Sequence, residues 1–403
     1  MKPEEIVPSL VPFLIVMIVV QAMLAVVFNA SGVVAPVAAP DLGVPVSALG
    51  LYTAIWTVMS LAGGMLIDGL MRRHGAARTT QICVIVTGGG LLFAAAGDLW
   101  LVALSAVVVG FGSGMIVPCA IHMAARVTPP ERAGVVIAIN QCGIPVGYAI
   151  GGIVIPLMLT AMHWQTAMAV LGLALMSTVV LLQPMREQLD SDRDPSAPLG
   201  GKAFVEPARM AWTTPRLRLL GWVAFSCMAV QFTAITFMVS YVKIELQFSH
   251  IAAGTALFVS QMAAIPARIF FGWWLDRIAR PLLVLGIIAS GSGLSCLALG
   301  MATPQWPYWL VLATAVACGA FMMGWNAVYM ATVARFSPPG REGTALGGTQ
   351  IFNMVGGTLG PVIYSTILGV TGHYSLGFML LALVPFTMGM RLLWLDRREE
   401  ATA

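Results

Sequence analysis

The sequence has very little charge for its length. Its 403 residues include 21 lysines and arginines and 17 aspartates and glutamates, whereas a soluble protein of that size carries about 100 charged residues. This shortage excludes a soluble globular enzyme. Hydrophobic residues make up 59% of the chain and form twelve apolar segments, each close to the roughly 20 residues that a membrane-spanning helix needs. The sequence therefore predicts an all-α membrane protein with twelve transmembrane helices.

Patterns that would indicate catalysis or cofactor binding are also missing. The six cysteines all fall inside apolar segments without a CxxC spacing, so they are expected to be small core residues. The sequence has no zinc-like ligand spacing, no nucleophile and base pair and no phosphate-binding loop. We therefore expect no metal, no cofactor, no nucleic-acid partner and no enzymatic activity.

The predicted helices form two groups of six around one polar stretch. Residues 185–216 hold the only sustained run of charge, proline, serine and glycine, which is typical of a linker. We expect an N-terminal six-helix bundle over 1–184, a cytosolic linker over 185–216 and a C-terminal six-helix bundle over 217–403. The helices are predicted at 11–38, 47–70, 79–96, 100–126, 133–159, 164–184, 217–245, 251–276, 281–301, 307–334, 344–370 and 375–394.

The basic residues predict the orientation in the membrane. With an even number of helices, all of the basic residues except Lys243 and Arg268 fall on the side that carries both termini. Because lysine and arginine accumulate in cytosolic loops, the termini and the linker are predicted to be cytosolic. We expect a multi-pass protein of the plasma (cytoplasmic or inner) membrane.

The chain contains an internal repeat. The segment ARVTPPERAG that begins at Ala125 returns as ARFSPPGREG at Ala334, at an offset of 209 residues, and GGMLID around Asp68 returns as FGWWLD around Asp276 at an offset of 208. A duplicated six-helix unit with a substrate site between its halves is a transporter architecture.

These repeats resemble the signature motifs of the major facilitator superfamily. The Gly64 to Asp68 segment with the following RRHG, its counterpart at Gly272 to Arg277 and the R-x-x-P-P loops carry the resemblance over essentially the whole chain. Helix 8, with Arg268-Ile-Phe-Phe-Gly272 before Asp276, is similar to that of the monocarboxylate and oxalate/formate porters. There, the arginine is taken to bind the substrate carboxylate. The resemblance also implies that helices 1, 4, 7 and 10 line the cavity and that helices 2, 5, 8 and 11 form the seam between halves.

Arg268 is the main candidate for substrate binding. It lies 8 residues before Asp276, or roughly 12 Å along a helix, which is near the middle of the bilayer. An arginine there costs about 2.5–3.5 kcal/mol to insert, so it needs a partner. A substrate carboxylate matches the paired donors of guanidinium. The alternative is a structural arginine that bonds to helix carbonyls or to an amide such as Gln141.

Amide and aromatic side chains at a similar depth complete the predicted pocket, which suits a small ligand with one charged end. For each of them, an interhelical hydrogen bond or core packing is the alternative. These candidates are Asn29, Tyr52, Trp56, Gln231, Trp325, Asn326, Tyr329 and Asn353.

The resemblance also implies a cytosolic gate. Asp68 and Asp276 end their helices on the cytosolic side, where each is expected to face the N-terminus of a seam helix in the other half. Arg72, Arg132 and Arg341 complete the proposed network. Solvated loop charges are the alternative.

No carboxylate is predicted at mid-bilayer, which argues against a sugar/proton or drug/proton transporter. His122, the only histidine within a predicted helix, can titrate near neutrality and is therefore a candidate proton site. A polar interface role is its alternative.

Together these features predict a secondary active transporter that moves a small organic anion, in particular a monocarboxylate, by rocker-switch alternating access. Proton-coupled symport and anion exchange both remain open. The alternative function is an efflux carrier for hydrophobic or zwitterionic compounds, which the 25 methionines favour. A membrane sensor is disfavoured because no cytosolic domain is predicted. The expected partners are the substrate, protons and the lipid bilayer, with the protein as a monomer.

Overall fold

The computed structural model describes residues 10–128, 136, 139–196, 205–338 and 341–402. The long helical segments within these residues are numbered in chain order. They are α1 (Leu10–Asp41), α2 (Ala48–His74), α3 (Ala76–Ala95), α4 in two pieces (Leu99–Ser113 and Ile116–Val127), α5 (Gly143–Ala161), α6 (Trp164–Ser177), α7 (Pro215–Ile244), α8 (His250–Ile278), α9 (Pro281–Gly300), α10 in two pieces (Tyr308–Met323 and Asn326–Phe336), α11 (Glu342–Thr371) and α12 (Tyr374–Thr402).

The prediction of an all-α membrane protein is confirmed. Over the described residues, eleven of the segments are long and apolar enough to cross a bilayer. The segment α2 is apolar over the shorter stretch Ala48–Gly64, after which it continues into the charged residues at its C-terminal end. An α-helix forms its backbone hydrogen bonds within its own segment, as a lipid environment requires.

The fourth helix of each half, which the sequence predicts as continuous, is interrupted. The hydrogen bonding of α4 breaks at Gly114 and Met115, and that of α10 breaks at Gly324 and Trp325. These positions are 210 residues apart, close to the offset of the sequence repeat. Both halves therefore carry a discontinuous fourth helix, a feature that transporters place near substrate sites.

The predicted linker also contains helices. After α6, a short helix (Val179–Leu182) and a 3-10 turn (Gln183–Met185) lead to a single helical turn at Arg186–Leu189, and a longer linker helix runs over Val205–Thr213. The linker helix packs against α11, where a Cβ added at Gly348 would overlap the carbonyl oxygen of Pro207. The amphipathic sequence of the linker helix places Met210 and Ala211 inside and Trp212 outside.

The chain divides into two compact units. Of the described residues, the first unit contains 10–44 and 55–196, and the second contains 45–54 and 205–402. The first turns of α2 therefore belong to the second unit, in which the hydroxyl of Ser365 on α11 donates a hydrogen bond to the carbonyl oxygen of Ser47.

Glycines set the closest helix pairs within each unit. In the first unit, α1 packs on α5 with Gly147 against the carbonyl oxygen of Ala22. In the second, α7 packs on α11 with Gly356 against the carbonyl oxygen of Phe225. These glycines form a smooth face on each of the two helices. Within the described contacts this face joins helices of the same half, because a residue without Cβ lets two backbones approach.

Candidate substrate site

Arg268 lies at the interruption of α10. It is half-buried on α8, and its Nε donates a hydrogen bond of 2.9 Å to the carbonyl oxygen of Met323, the last residue of the first α10 piece. The break removes this carbonyl from the helical pattern, and a guanidinium is well suited to satisfy it at the negative end of a helix dipole. This bond to a helix carbonyl is the contact that the structural alternative for Arg268 predicts.

The internal repeat shows that this helix crossing does not require an arginine. By the offset of 208 residues, Ser60 on α2 corresponds to Arg268, and Gly114 lies at the break of α4 as Gly324, the residue after Met323, lies at the break of α10. In the first unit, a Cβ at Gly114 would overlap the carbonyl oxygen of Ser60, so these two backbones touch directly. At the break of its fourth helix, the second half therefore has a contact through a charged side chain, whereas the first half has a direct contact between backbones.

Three predicted pocket residues lie inside the core of the second unit. Trp325 and Tyr329 have no exposed surface, and their rings pack 5.2 Å apart in an edge-on arrangement. The indole N–H of Trp325 donates a hydrogen bond of 2.9 Å to Oε1 of Gln231, which is also buried. This burial favours the packing alternative for all three residues.

Two other candidates in the second unit keep polar atoms available. Asn326, the first residue of the second α10 piece, is half-buried and makes no side-chain hydrogen bond to another described residue. The amide nitrogen of Asn353 donates to Oε1 of Gln350 at 2.5 Å, while its own oxygen has no partner among the described residues.

The candidates of the first unit are Asn29 and Trp56. Asn29 is buried on α1 and donates a hydrogen bond of 3.2 Å to the carbonyl oxygen of Tyr148 on α5, leaving its Oδ1 without a partner in the described structure. The half-buried Trp56 donates its indole N–H to the hydroxyl of Ser113, beside the α4 break, at 3.2 Å. Its ring centroid lies 4.6 Å from that of Phe28. Tyr52 is half-buried in the part of α2 that belongs to the second unit.

A buried amide pair in the first unit escaped the sequence analysis. Nε2 of Gln21 donates to Oδ1 of Asn140 at 2.6 Å, and both side chains are fully buried between α1 and the start of α5. Gln21 Oε1 and Asn140 Nδ2 have no hydrogen-bond partner among the described residues. The sequence shows only two amide side chains in separate apolar segments. It does not reveal that they form a hydrogen bond, because they are 119 residues apart in the chain.

The structure describes part of the predicted gate. Asp276 is exposed at the end of α8, and Arg341 is exposed where α11 begins. Arg72 is exposed at the end of α2, and its carbonyl oxygen accepts a hydrogen bond of 2.6 Å from the amide of Asp194. Arg132 and the side chain of Asp68 lie outside the described residues. The gate network therefore stays a prediction.

His122 lies in a charged cluster with the segment that follows α6. Its Nε2 is 3.0 Å from Oδ2 of Asp192, and Arg126 is 2.7 Å from Oδ1 of the same carboxylate. Arg126 also donates to the carbonyl oxygen of Leu189 at 2.9 Å. The histidine is 40% exposed, so the cluster ties the end of α4 to the chain after α6.

The sequence profile of the Major Facilitator Superfamily matches residues 17–278 and again residues 221–403, which together cover most of the chain. The chain belongs to the Major Facilitator Superfamily. The predicted family is thus confirmed, and as a superfamily member the protein is a membrane transporter and not an enzyme.

Relatives of this superfamily member are named for different compounds. The chain is 21% identical to NiaP of Bacillus subtilis, named as a niacin/nicotinamide transporter, over 77% of this chain and 76% of that one. It is 24% identical to the 4-hydroxybenzoate transporter PcaK of Acinetobacter baylyi, over 86% and 82%. It is also 24% identical to the quinolone resistance protein NorA of Staphylococcus aureus, over 84% and 85%.

Solved transporter structures share the superfamily fold. A POT family transporter in complex with 5-aminolevulinic acid matches with a TM-score of 0.78 at 12% identity, over 96% of both chains. A point mutant of the nucleoside transporter NupG matches with a TM-score of 0.77 at 11% identity, over 95% of this chain and 98% of that one. At these identities the likeness establishes the fold alone.

Proposed function

We propose that the protein is a secondary transporter for small aromatic monocarboxylates and that Arg268 binds the substrate carboxylate. The observation that carries the proposal is the half-buried guanidinium on α8, about 12 Å into the bilayer, beside the interruption of α10. In the first half, α2 and α4 meet beside the α4 break without a charged side chain, so the packing of such a helix pair does not by itself call for an arginine. Recognition of a substrate carboxylate explains why the residue is an arginine.

The relatives support this class of substrate. Niacin and 4-hydroxybenzoate each consist of one aromatic ring that bears a single carboxylate. A guanidinium for the carboxylate, aromatic faces for the ring and amides for a ring substituent would satisfy such a ligand. Among the described candidates of the second unit, Asn326 is half-buried and so accessible to a ligand, whereas Trp325 lies in the core.

The transport cycle in this proposal is rocker-switch alternating access, with both termini cytosolic. The bound carboxylate places a negative charge beside a positive one at low dielectric, where the attraction is strong, so loading favours an occluded state. Such a cycle is compatible with anion exchange or with proton-coupled symport.

Uptake into proteoliposomes tests the proposal. The purified protein is assayed with radiolabelled 4-hydroxybenzoate and nicotinate, and with nicotinamide as the uncharged analogue. We expect uptake of the two acids and at least about tenfold less uptake of the amide, as the loss of a charge-assisted contact predicts. Arg268→Gln is expected to abolish uptake of the acids, and Arg268→Lys to reduce it strongly, because lysine lacks the paired donors.

A matched control separates binding from folding. Arg335 also donates to a helix carbonyl, from Nη1 to the oxygen of Ala279 at 3.1 Å, but it is exposed at the end of α10. Arg335→Gln should therefore transport normally. Equal uptake by wild type and Arg268→Gln, with both proteins correctly folded, would show that Arg268 has a structural role and does not bind the substrate.

The efflux of hydrophobic or zwitterionic compounds is the second candidate function, favoured by the likeness to NorA. A ligand that binds the folded state raises its Tm. If only neutral lipophiles raise the Tm, and if they do so equally in wild type and Arg268→Gln, the efflux function is the better one.

A further inference from the structure

A basic cleft opens at one end of the second unit, and Arg268 is not among its lining residues. It has a volume of about 440 Å³ and lies where α7 and α9 begin and where α10 and α12 end. Three arginines line it, Arg216, Arg218 and Arg391, together with a single acidic residue, Glu399. The lining charges therefore sum to a net +2, at the end of the unit that we propose to be cytosolic.

The three arginines differ in their contacts. Arg216 donates a hydrogen bond of 2.9 Å to Glu399, and its guanidinium carbon lies 4.7 Å above the ring of Phe336. Arg218 and Arg391 are both exposed and make no hydrogen bond or ion pair with another described residue. Two guanidinium groups in the cleft therefore have their donors directed at solvent or at a ligand.

The depth of the cleft corresponds to the lipid headgroups. Arg218 is 25 residues from Lys243 near the far end of α7, or roughly 38 Å, which exceeds a hydrocarbon core of about 30 Å and falls within the headgroup layer. Arg391 is 17 residues from the start of α12 at Tyr374, or roughly 26 Å, and its long side chain extends toward the same layer.

Apolar side chains continue the cleft toward the membrane. Leu219, Leu282 and Leu395 line its wall, and Trp222 lies among them with 41% of its surface exposed. Tryptophan at this depth is characteristic of the membrane interface. The cleft thus combines two cationic groups that no described residue pairs with an adjoining apolar surface, and a ligand that matches both is an anionic amphiphile.

We propose that this cleft is a binding site for an anionic phospholipid. Arg218 and Arg391 would bind the phosphodiester, Arg216 would remain held by Glu399, and the acyl chains would lie along the leucines and Trp222. Basic pockets between transmembrane helices on the cytosolic side attract such headgroups. A soluble phosphate compound shares the headgroup chemistry but gains nothing from the apolar wall.

Native mass spectrometry of the detergent-purified full chain tests the proposal. The protein is incubated with phosphatidylglycerol, with phosphatidylcholine of the same acyl chains, or with glycerol 3-phosphate. We expect phosphatidylglycerol to remain bound at least about tenfold more than phosphatidylcholine, because each arginine near a lipid phosphate contributes to binding. We expect no retained glycerol 3-phosphate.

Two double variants make the result specific to the cleft. Arg218→Gln/Arg391→Gln should lose about tenfold in bound phosphatidylglycerol. Arg73→Gln/Arg397→Gln removes the same charge from exposed arginines outside the cleft and should bind as the wild type does. Equal loss in both variants, or equal retention of both lipids, would show annular lipid and overturn the proposal. Retention of glycerol 3-phosphate comparable with that of phosphatidylglycerol would overturn it in favour of a soluble phosphate ligand.

Discussion

The carboxylate of Asp190 caps the N-terminal end of α3, where its Oδ1 accepts a hydrogen bond of 2.7 Å from the backbone amide of Ala77. Its Oδ2 accepts a second one, of 3.1 Å, from the amide of Arg78, and the side chain is buried. The first amides of a helix have no partner within the helix, and a negative charge there is stabilised by the helix dipole. A residue that follows α6 thereby fixes the start of a helix more than 100 residues earlier in the chain.

The second half achieves the same connection by different chemistry. Asp396 lies 206 residues after Asp190, near the end of α12, where it accepts hydrogen bonds from Nε and Nη2 of Arg280 at 3.2 and 2.5 Å. The helix that it secures, α9, begins with Pro281, which has no amide to offer. Arg280, the residue before that proline, supplies the donors in its place.

Gly75→Ala is predicted to loosen this connection. Gly75 has a φ of 90° and a ψ of 155°, a conformation almost confined to glycine that costs other residues about 1–3 kcal/mol. An added Cβ would also overlap the carboxylate of Asp190. We expect a Tm several degrees lower, measured by thermal unfolding in detergent.

Gly372→Ala is the matched control for the backbone alone. Gly372 has a φ of 75°, and a Cβ there meets nothing within 4 Å. It should therefore lose only about 1 kcal/mol. An equal loss of Tm in both variants would contradict a specific contact between Gly75 and Asp190.

Asp190 is predicted to make stability depend on pH in the acid range. Burial raises the pKa of this carboxyl, and the amides of Ala77 and Arg78 lower it only in part. The folded protein then holds the proton more tightly than the unfolded chain, so this contribution to stability falls as the pH rises from about 4. It becomes constant once the pH exceeds the folded pKa.

Asp190→Asn isolates this group because asparagine does not titrate. The Tm of the variant minus that of the wild type should rise as the pH increases from about 4 and level off once the pH exceeds the raised pKa of the folded state, since contributions from all other groups cancel in the difference. A difference that falls with increasing pH would show that the amides and the dipole outweigh burial.

Glycines that look alike in the sequence are predicted to respond differently to alanine. At Gly147 on α5, a Cβ would overlap the carbonyl oxygen of Ala22 on α1, whereas at Gly272 on α8 it meets nothing within 4 Å. Gly147→Ala should force the helices apart and lower the Tm, with transport impaired. Gly272→Ala should be neutral or stabilise by up to about 1 kcal/mol, since alanine favours helix over glycine.

Gly356→Ala provides an independent repetition in the other unit, because its Cβ would overlap the carbonyl oxygen of Phe225. It should behave as Gly147→Ala does. Tolerance of both substitutions, judged by Tm and by gel filtration, would contradict close packing at these crossings.

The sequence predicts the helices well because each depends on a local property, a run of about 20 apolar residues. It also identifies Arg268, since a charge inside such a run is conspicuous without knowledge of the fold. It does not predict the partner of Arg268, because the carbonyl oxygen of Met323 is a backbone atom that any residue would provide. The breaks in α4 and α10 are missed for a similar reason, as single glycines are common within membrane helices.

Contacts between distant residues account for the remaining differences. The motif containing Gly75 is recognisable, but the reason for glycine there is Asp190, 115 residues later in the chain. Trp325 is identified as a pocket residue because of its helix and depth. Its full burial and its bond to Gln231 depend on how α7 and α10 pack, which the apolar pattern of either helix does not specify.

The hydrogen bond between Trp325 and Gln231 distinguishes a packing role from substrate contact. Trp325→Phe leaves the Gln231 acceptor unpaired in the core, and Gln231→Leu leaves the indole N–H unpaired, each at a cost of about 1–3 kcal/mol. The double variant removes both polar groups. It should therefore be less destabilised than the sum of the single variants, by about 1–2 kcal/mol in a double-mutant cycle.

Transport by the same three variants completes the argument. If the pair serves packing, uptake of 4-hydroxybenzoate per folded molecule should follow stability, so the double variant should transport at least as well as the less stable single variant. A double variant that is as stable as expected but inactive would instead place Trp325 or Gln231 in contact with the substrate. Because both residues are buried, that outcome would require α7 and α10 to separate locally during the cycle.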